Sequence, residues 1–151
     1  MIRARSSIFA LGALVMLSLA AVAAGPTLTV RDAWARHAPM LEGDAAKSGT
    51  GNGAVYATLV NAGERPDALV SASTDAARAV EVHETYQEHG MVMMRPVERV
   101  VVPAGGTVEL KPGGYHLMLF DLKRALAPGQ SIRLVLSFRD AGDVAVSASV
   151  R

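Results

Sequence analysis

The chain has 151 residues, one domain's worth, with 15 Lys+Arg against 14 Asp+Glu and a formal net charge of +1. No dense Lys/Arg run appears, which excludes an electrostatic nucleic-acid binder with its clustered basic footprint. The cysteine count is zero, which removes thiol nucleophiles, thiolate metal sites and iron–sulfur clusters.

The first segment, "MIRARSSIFALGALVMLSLAAVAAG", has Arg3 and Arg5, an apolar run from Ile8 to Ala20, and Ala21-Val22-Ala23 in an A-x-A arrangement. It reads as a secretory signal peptide over 1–23. The alternative is a retained membrane anchor, although a spanning helix needs about 20 apolar residues and this run is short of that. Cleavage would leave 24–151 as the mature domain in the periplasm, with 13 basic against 14 acidic residues. Export normally permits disulfides, yet none can form here. A domain of about 125 residues must then be held by its core, and that size suffices.

Beyond the signal no helical period appears. Short runs of alternating or apolar β-type character predict strands at Thr27–Arg36, Ala54–Asn61, Ala68–Ser73, Ala79–Gln87 and Met91–Val97. Five more follow at Arg99–Val102, Thr107–Leu110, Tyr115–Leu122, Ile132–Arg139 and Val144–Val150. The turn signals "NAGERPD", "EHG", "PAGG", "KPGG", "APGQ" and "DAGD" separate them. Many short strands with close turn signals predict an all-β, antiparallel sandwich or barrel. One connection is unusual: "HAPMLEGDAAKSGTGNG", residues 37–53, is long, small and polar, and it carries His37 and Met40.

Two segments carry chemistry. In "GGYHLMLFDL", residues 113–122, Leu117 and Leu119 share one strand face, and His116 and Met118 share the other. The aliphatic pair is the natural core face, so His116 and Met118 are expected to look away from the core. In "VEVHETYQEHGMVMMRPV" a hairpin is expected with its turn within Gln87–Gly90. A two-residue loop, Glu88–His89, or a four-residue loop, Gln87–Gly90, would set His83 directly opposite Met94. A three-residue loop would set it opposite Arg95. Met91 and Met93 have the other parity and are expected on the core-facing side or at its margin, as gap fillers. His89 is expected at the turn tip. Glu81 and Glu84 flank His83, where either can orient an imidazole or stay solvated.

Two imidazoles and two thioethers form a recognisable donor set. Thioethers are poor ligands for Mg²⁺, Ca²⁺ or Mn²⁺, and with imidazole they suit Cu(I). Zinc prefers Cys, His or carboxylate, and a blue-copper centre needs a Cys thiolate. His83, Met94, His116 and Met118 are therefore the candidate metal ligands.

At this point the chain closely resembles the periplasmic copper chaperones of the PCuAC type. Ten residues separate His83 from Met94, twenty-one separate Met94 from His116, and His116-Leu117-Met118 completes the family's ligand pattern. "VHET", "MRPV", "VPAGGTVELKPGGYHLMLFDLKRAL" and "DAWAR" also look like the family, from about Val30 to Phe138. The resemblance implies a cupredoxin-like β-sandwich that binds Cu(I) through those four residues. It further implies delivery to the dinuclear copper centre of a haem–copper (cytochrome c) oxidase, or to another copper carrier. The 37–53 connection is longer than the pattern expects, and no His/Met-rich stretch follows Val150, so no second metal site is expected there.

The expectation is a monomeric carrier with copper as cargo, no nucleic-acid partner, and contact with the membrane only through its target. It is not expected to be an enzyme, because no motif assembles a base and a nucleophile. Without cysteine it is no dithiol reductase. The competing reading is a metal-free sandwich acting as a structural or interaction module.

Overall fold

The computed structural model describes residues 27–39 and 51–151. The expected signal segment 1–23 and Met40 lie outside them. All regular structure among the described residues is strand, in ten elements. These are β1 (Leu28–Ala35), β2 (Gly53–Asn61), β3 (Asp67–Thr74), β4 (Ala77–Glu88), β5 (Met91–Pro96), β6 (Val100–Val102), β7 (Thr107–Leu110), β8 (Tyr115–Leu122), β9 (Ser131–Phe138) and β10 (Gly142–Val150). Every expected strand is present, with ends shifted by at most two residues.

The strands join in one sheet ordered β5-β4-β8-β2-β1-β10-β9-β3-β6, with β7 also paired to β2. β3 and β4 stand near opposite ends of that order, yet only Asp75 and Ala76 link them in the chain. So short a link requires the sheet to curl back on itself, which encloses a core between two layers. Neighbours are antiparallel except for β1 and β10, which run parallel with Trp34 opposite Ser149. That pair refines the antiparallel expectation. It ties the end of β1 to the end of β10: His37 N–H donates to Arg151 O at 2.7 Å, and Arg151 N–H donates to Ala35 O at 2.9 Å.

The core follows the period-2 pattern. Leu117 and Leu119 of β8 are fully buried, as are Leu59, Leu69, Leu134 and Leu136. Burial of each such side chain contributes on the order of 1.5–3 kcal/mol. Because Leu117 and Leu119 fix the orientation of β8, the intervening His116 and Met118 must present the opposite face.

Candidate metal centre

β4 and β8 set the site. Their antiparallel register places His83 directly opposite His116 and Glu81 directly opposite Met118. The two imidazole centroids are 6.0 Å apart, tilted by 53°. On β8's other flank Ala54 of β2 pairs with Met118. Tyr56 of the same strand reaches His116, with ring centroids 6.3 Å apart. Trp34 packs against Tyr56 at 4.5 Å. Phe120 meets the His83 ring at 5.7 Å. The face opposite the aliphatic core thus carries a small aromatic layer of its own.

That layer corrects one expectation. His116 does point away from Leu117 and Leu119, but it is not exposed: only 4% of its surface is accessible. A histidine so placed must satisfy its polar atoms internally. Its Nδ1–H donates to Gly114 O at 3.1 Å, because a carbonyl can only accept. Nε2 keeps its lone pair. The donor's partner is positioned by the turn before β8. Gly114 N–H donates to Lys111 O at 3.0 Å across Pro112-Gly113, and Gly113 has φ +81°, a conformation that favours glycine.

The β4–β5 hairpin corrects a second. Its loop is His89-Gly90, with φ of +50° and +76°, and Glu88 pairs with Met91. Two positive φ values in a two-residue loop are those of a type I′ turn. The register therefore sets Met94 opposite Thr85 and Pro96 opposite His83. His83 and Met94 do not face each other directly. Because the slip moves each partner by an even step, Met94 still shares the face of His83. His89 occupies the turn tip and is exposed.

A third correction concerns Met91 and Met93. They take the opposite face from Met94, as parity requires, but they are exposed rather than packed into the core. Their exposures are 60% and 40%, and Met94 is 57% exposed. β5 is the last strand of the sheet, and both of its faces are open to solvent. On the face away from the site, Glu84 accepts two hydrogen bonds from Arg95, at 2.8 and 3.1 Å. That bond and the carboxylate's charge hold the Arg95 guanidinium above its ordinary pKa.

Met94, His116 and Met118 line one cleft of about 330 Å³, together with Tyr56, Thr85 and His37. His83 is not part of its wall; it meets the cleft through the facing His116 ring. Tyr56 was not legible as a wall residue, since the register of β2 on β8 is a long-range pairing with no local signal. Thr85 enters the wall through the two-residue shift in hairpin register that sets it opposite Met94. Among the described residues no three His, Cys, Asp or Glu side chains are placed to hold a metal ion. The donors that line the cleft are imidazole and thioether groups, and thioethers suit soft cations.

A family model described as "Putative lipoprotein LpqE-like" matches residues 28–150. "Putative lipoprotein Lxx21020" of Leifsonia xyli subsp. xyli is 34% identical over 105 residues, 69% of this chain and 63% of that protein. "Uncharacterized protein RP573" of Rickettsia prowazekii is 32% identical over 108 residues, 71% of this chain and 57% of that protein. The chain thus spans about three-fifths of the length of the curated relatives it matches. Among solved structures, the copper-bound PCuAC domain from PmoF2 superposes with a TM-score of 0.64 at 26% identity, covering 83% of this chain and 92% of that one. The solution structure of CuI-DR1885 from Deinococcus radiodurans gives 0.60 at 30% identity, covering 84% and 81%.

Proposed function

The chain belongs to the LpqE-like family and has the cupredoxin-like fold of PCuAC domains, and on that premise we propose that it carries Cu(I) as cargo. The observation that carries the reading is one sheet face bearing two imidazoles and two thioethers, three of the four in the wall of a single cleft. His83, Met94, His116 and Met118 are the proposed ligands. The copper in the matched PmoF2 and Deinococcus structures supports the choice of ion.

The donors divide the work. Cu(I) bound by four neutral groups keeps its charge of +1, which is costly in a sealed core and tolerable in an open cleft. His116, buried and tethered through Nδ1, offers Nε2 from a fixed position. Met94 stands on an exposed edge strand, where it meets solvent and any acceptor first. Ligands that differ this much in anchoring let an ion be held and then passed on by exchange of the outer thioether.

The finer parts of the proposal follow from this. The carrier acts in the periplasm as a monomeric domain over 24–151, after removal of 1–23. It performs no catalysis of its own. It hands Cu(I) to the dinuclear copper centre of a cytochrome c oxidase or to another copper carrier. Titration of the mature protein with Cu(I) against a chromophoric chelator should give one ion per chain, and Zn²⁺ should not compete. Mixing the loaded protein with a soluble copper-centre domain of an oxidase should then move the ion faster than the carrier unfolds. Absence of uptake would favour the metal-free interaction module instead.

A further inference from the structure

We infer that Glu81 is a positioning residue that fixes the tautomer of His83 and so selects which of its nitrogens faces the ion; this rests on the carrier reading above. Glu81 Oε2 lies 3.0 Å from His83 Nε2. A carboxylate can only accept, so in the neutral imidazole Nε2 carries the proton and Nδ1 keeps the lone pair. His116 has the reverse arrangement: its Nδ1–H is spent on Gly114 O, leaving Nε2. The two facing histidines therefore offer unlike nitrogens, each chosen by an acceptor-only partner two residues before it in the chain.

The placement supports a positioning role. Glu81 is two residues from His83 on β4, on the same face and directly opposite Met118. The His83 side chain is 13% exposed while that of Glu81 is 53% exposed. The imidazole is held by its surroundings, and the carboxylate approaches it from the solvent side. As they stand, Glu81, His83 and His116 do not form a converging three-ligand group. The carboxylate acts through the histidine and is not itself a ligand. Partners of this kind typically set metal affinity by 10–100-fold, approximately, by orienting the ring and raising its basicity.

The test reads tautomers directly. Long-range ¹H–¹⁵N spectra of the copper-free mature protein are recorded at about pH 8.5, well above the ordinary histidine pKa of ~6.5. The expected result is an Nε2–H form for His83 and an Nδ1–H form for His116 in the wild type. Glu81→Ala should convert His83 to a mixture and leave His116 unchanged. Glu81→Gln, whose amide both donates and accepts, should also give a mixture. Cu(I) is diamagnetic, so its uptake should move the ¹⁵N resonance of His83 Nδ1 in the wild type. Glu81→Ala should weaken Cu(I) binding by about 10–100-fold with the fold retained. An Nδ1–H form for His83 in the wild type, a pure wild-type tautomer in Glu81→Ala, or a copper-induced shift at His83 Nε2 would each overturn the inference. A wild type that takes up no Cu(I) would overturn the carrier reading, while the copper-free spectra would still decide the role of Glu81.

Discussion

The cleft beside His116 and the hollow beside Asp67 make an instructive pair, and β2 runs between them. The hollow is the roomier, about 550 Å³, and it too has buried polar residues in its wall. There, however, the chain satisfies its own groups. Asp67 Oδ1 accepts from the backbone N–H of Ala68 at 2.7 Å and Asp140 at 3.0 Å, and Oδ2 accepts from Ala141 at 2.8 Å. Asn61 Nδ2 donates to Arg65 O and Val102 O, and its Oδ1 accepts from Gly63 N–H. At His116 and the facing His83 one ring nitrogen is tied down, and the other keeps its lone pair. Volume does not separate a site from a structural corner. The state of the donors does: closed at Asp67, half open at His83 and His116.

Breaking the closed corner should have the largest effect. Asp67→Ala strips the acceptor from three backbone N–H groups and should cost about 3 kcal/mol in urea unfolding, with Cu(I) affinity unchanged. The same corner predicts a pH dependence. Burial pushes the Asp67 carboxyl up, but the N–H groups of Asp140, Ala68 and Ala141 and the charge of Arg139 outweigh it, so its pKa lies below the ordinary value. A depressed carboxyl stabilises the fold fully above its unfolded pKa of ~3.9 and ceases to do so as pH falls through the folded pKa. Acid titration of stability should therefore show a loss below about pH 4 in the wild type that Asp67→Asn lacks.

On the open side the effects should appear in copper binding. His116→Ala should weaken Cu(I) binding by on the order of 100-fold, no less than the loss of an outer-shell partner. It should also cost roughly 1–3 kcal/mol of stability, since it empties a buried position. Met94→Ala should weaken binding by about tenfold, or ~1.4 kcal/mol. Its stability should stay within about 0.5 kcal/mol of wild type, because the side chain fills no core. Met91→Ala should be the smallest change, under about twofold, or less than ~0.5 kcal/mol, since Met91 points off the opposite face. Competition titration and a thermal melt on each variant check all three.

The strands were legible because they read as short alternating or apolar runs between turn signals, and the Leu117/Leu119 pair alone fixed which way His116 faces. What sits on that face was not legible. Tyr56 reaches His116 through the pairing of β2 with β8, and Trp34 backs Tyr56 through the pairing of β1 with β2, neither of which a local pattern encodes. The hairpin register was missed for a local reason. His89-Gly90 forms the turn with a histidine at positive φ, where asparagine or aspartate is the usual signal. Histidine's own enrichment in that region was the clue available. Met91 and Met93 were expected to be packed because parity says which face a side chain takes, and not whether anything covers it. At the last strand of the sheet both stay exposed.

The central claim is that the open donors, and not the fold alone, hold the ion. Competition of the wild type and a Met94→Ala/Met118→Ala double variant against the same Cu(I) chelator tests it most directly. The account predicts one tightly held Cu(I) per wild-type chain and a loss of affinity in the double variant, with the two proteins giving superimposable circular dichroism spectra. Equal Cu(I) affinity in the two would contradict it, and the thioethers would then be surface side chains with no part in copper binding.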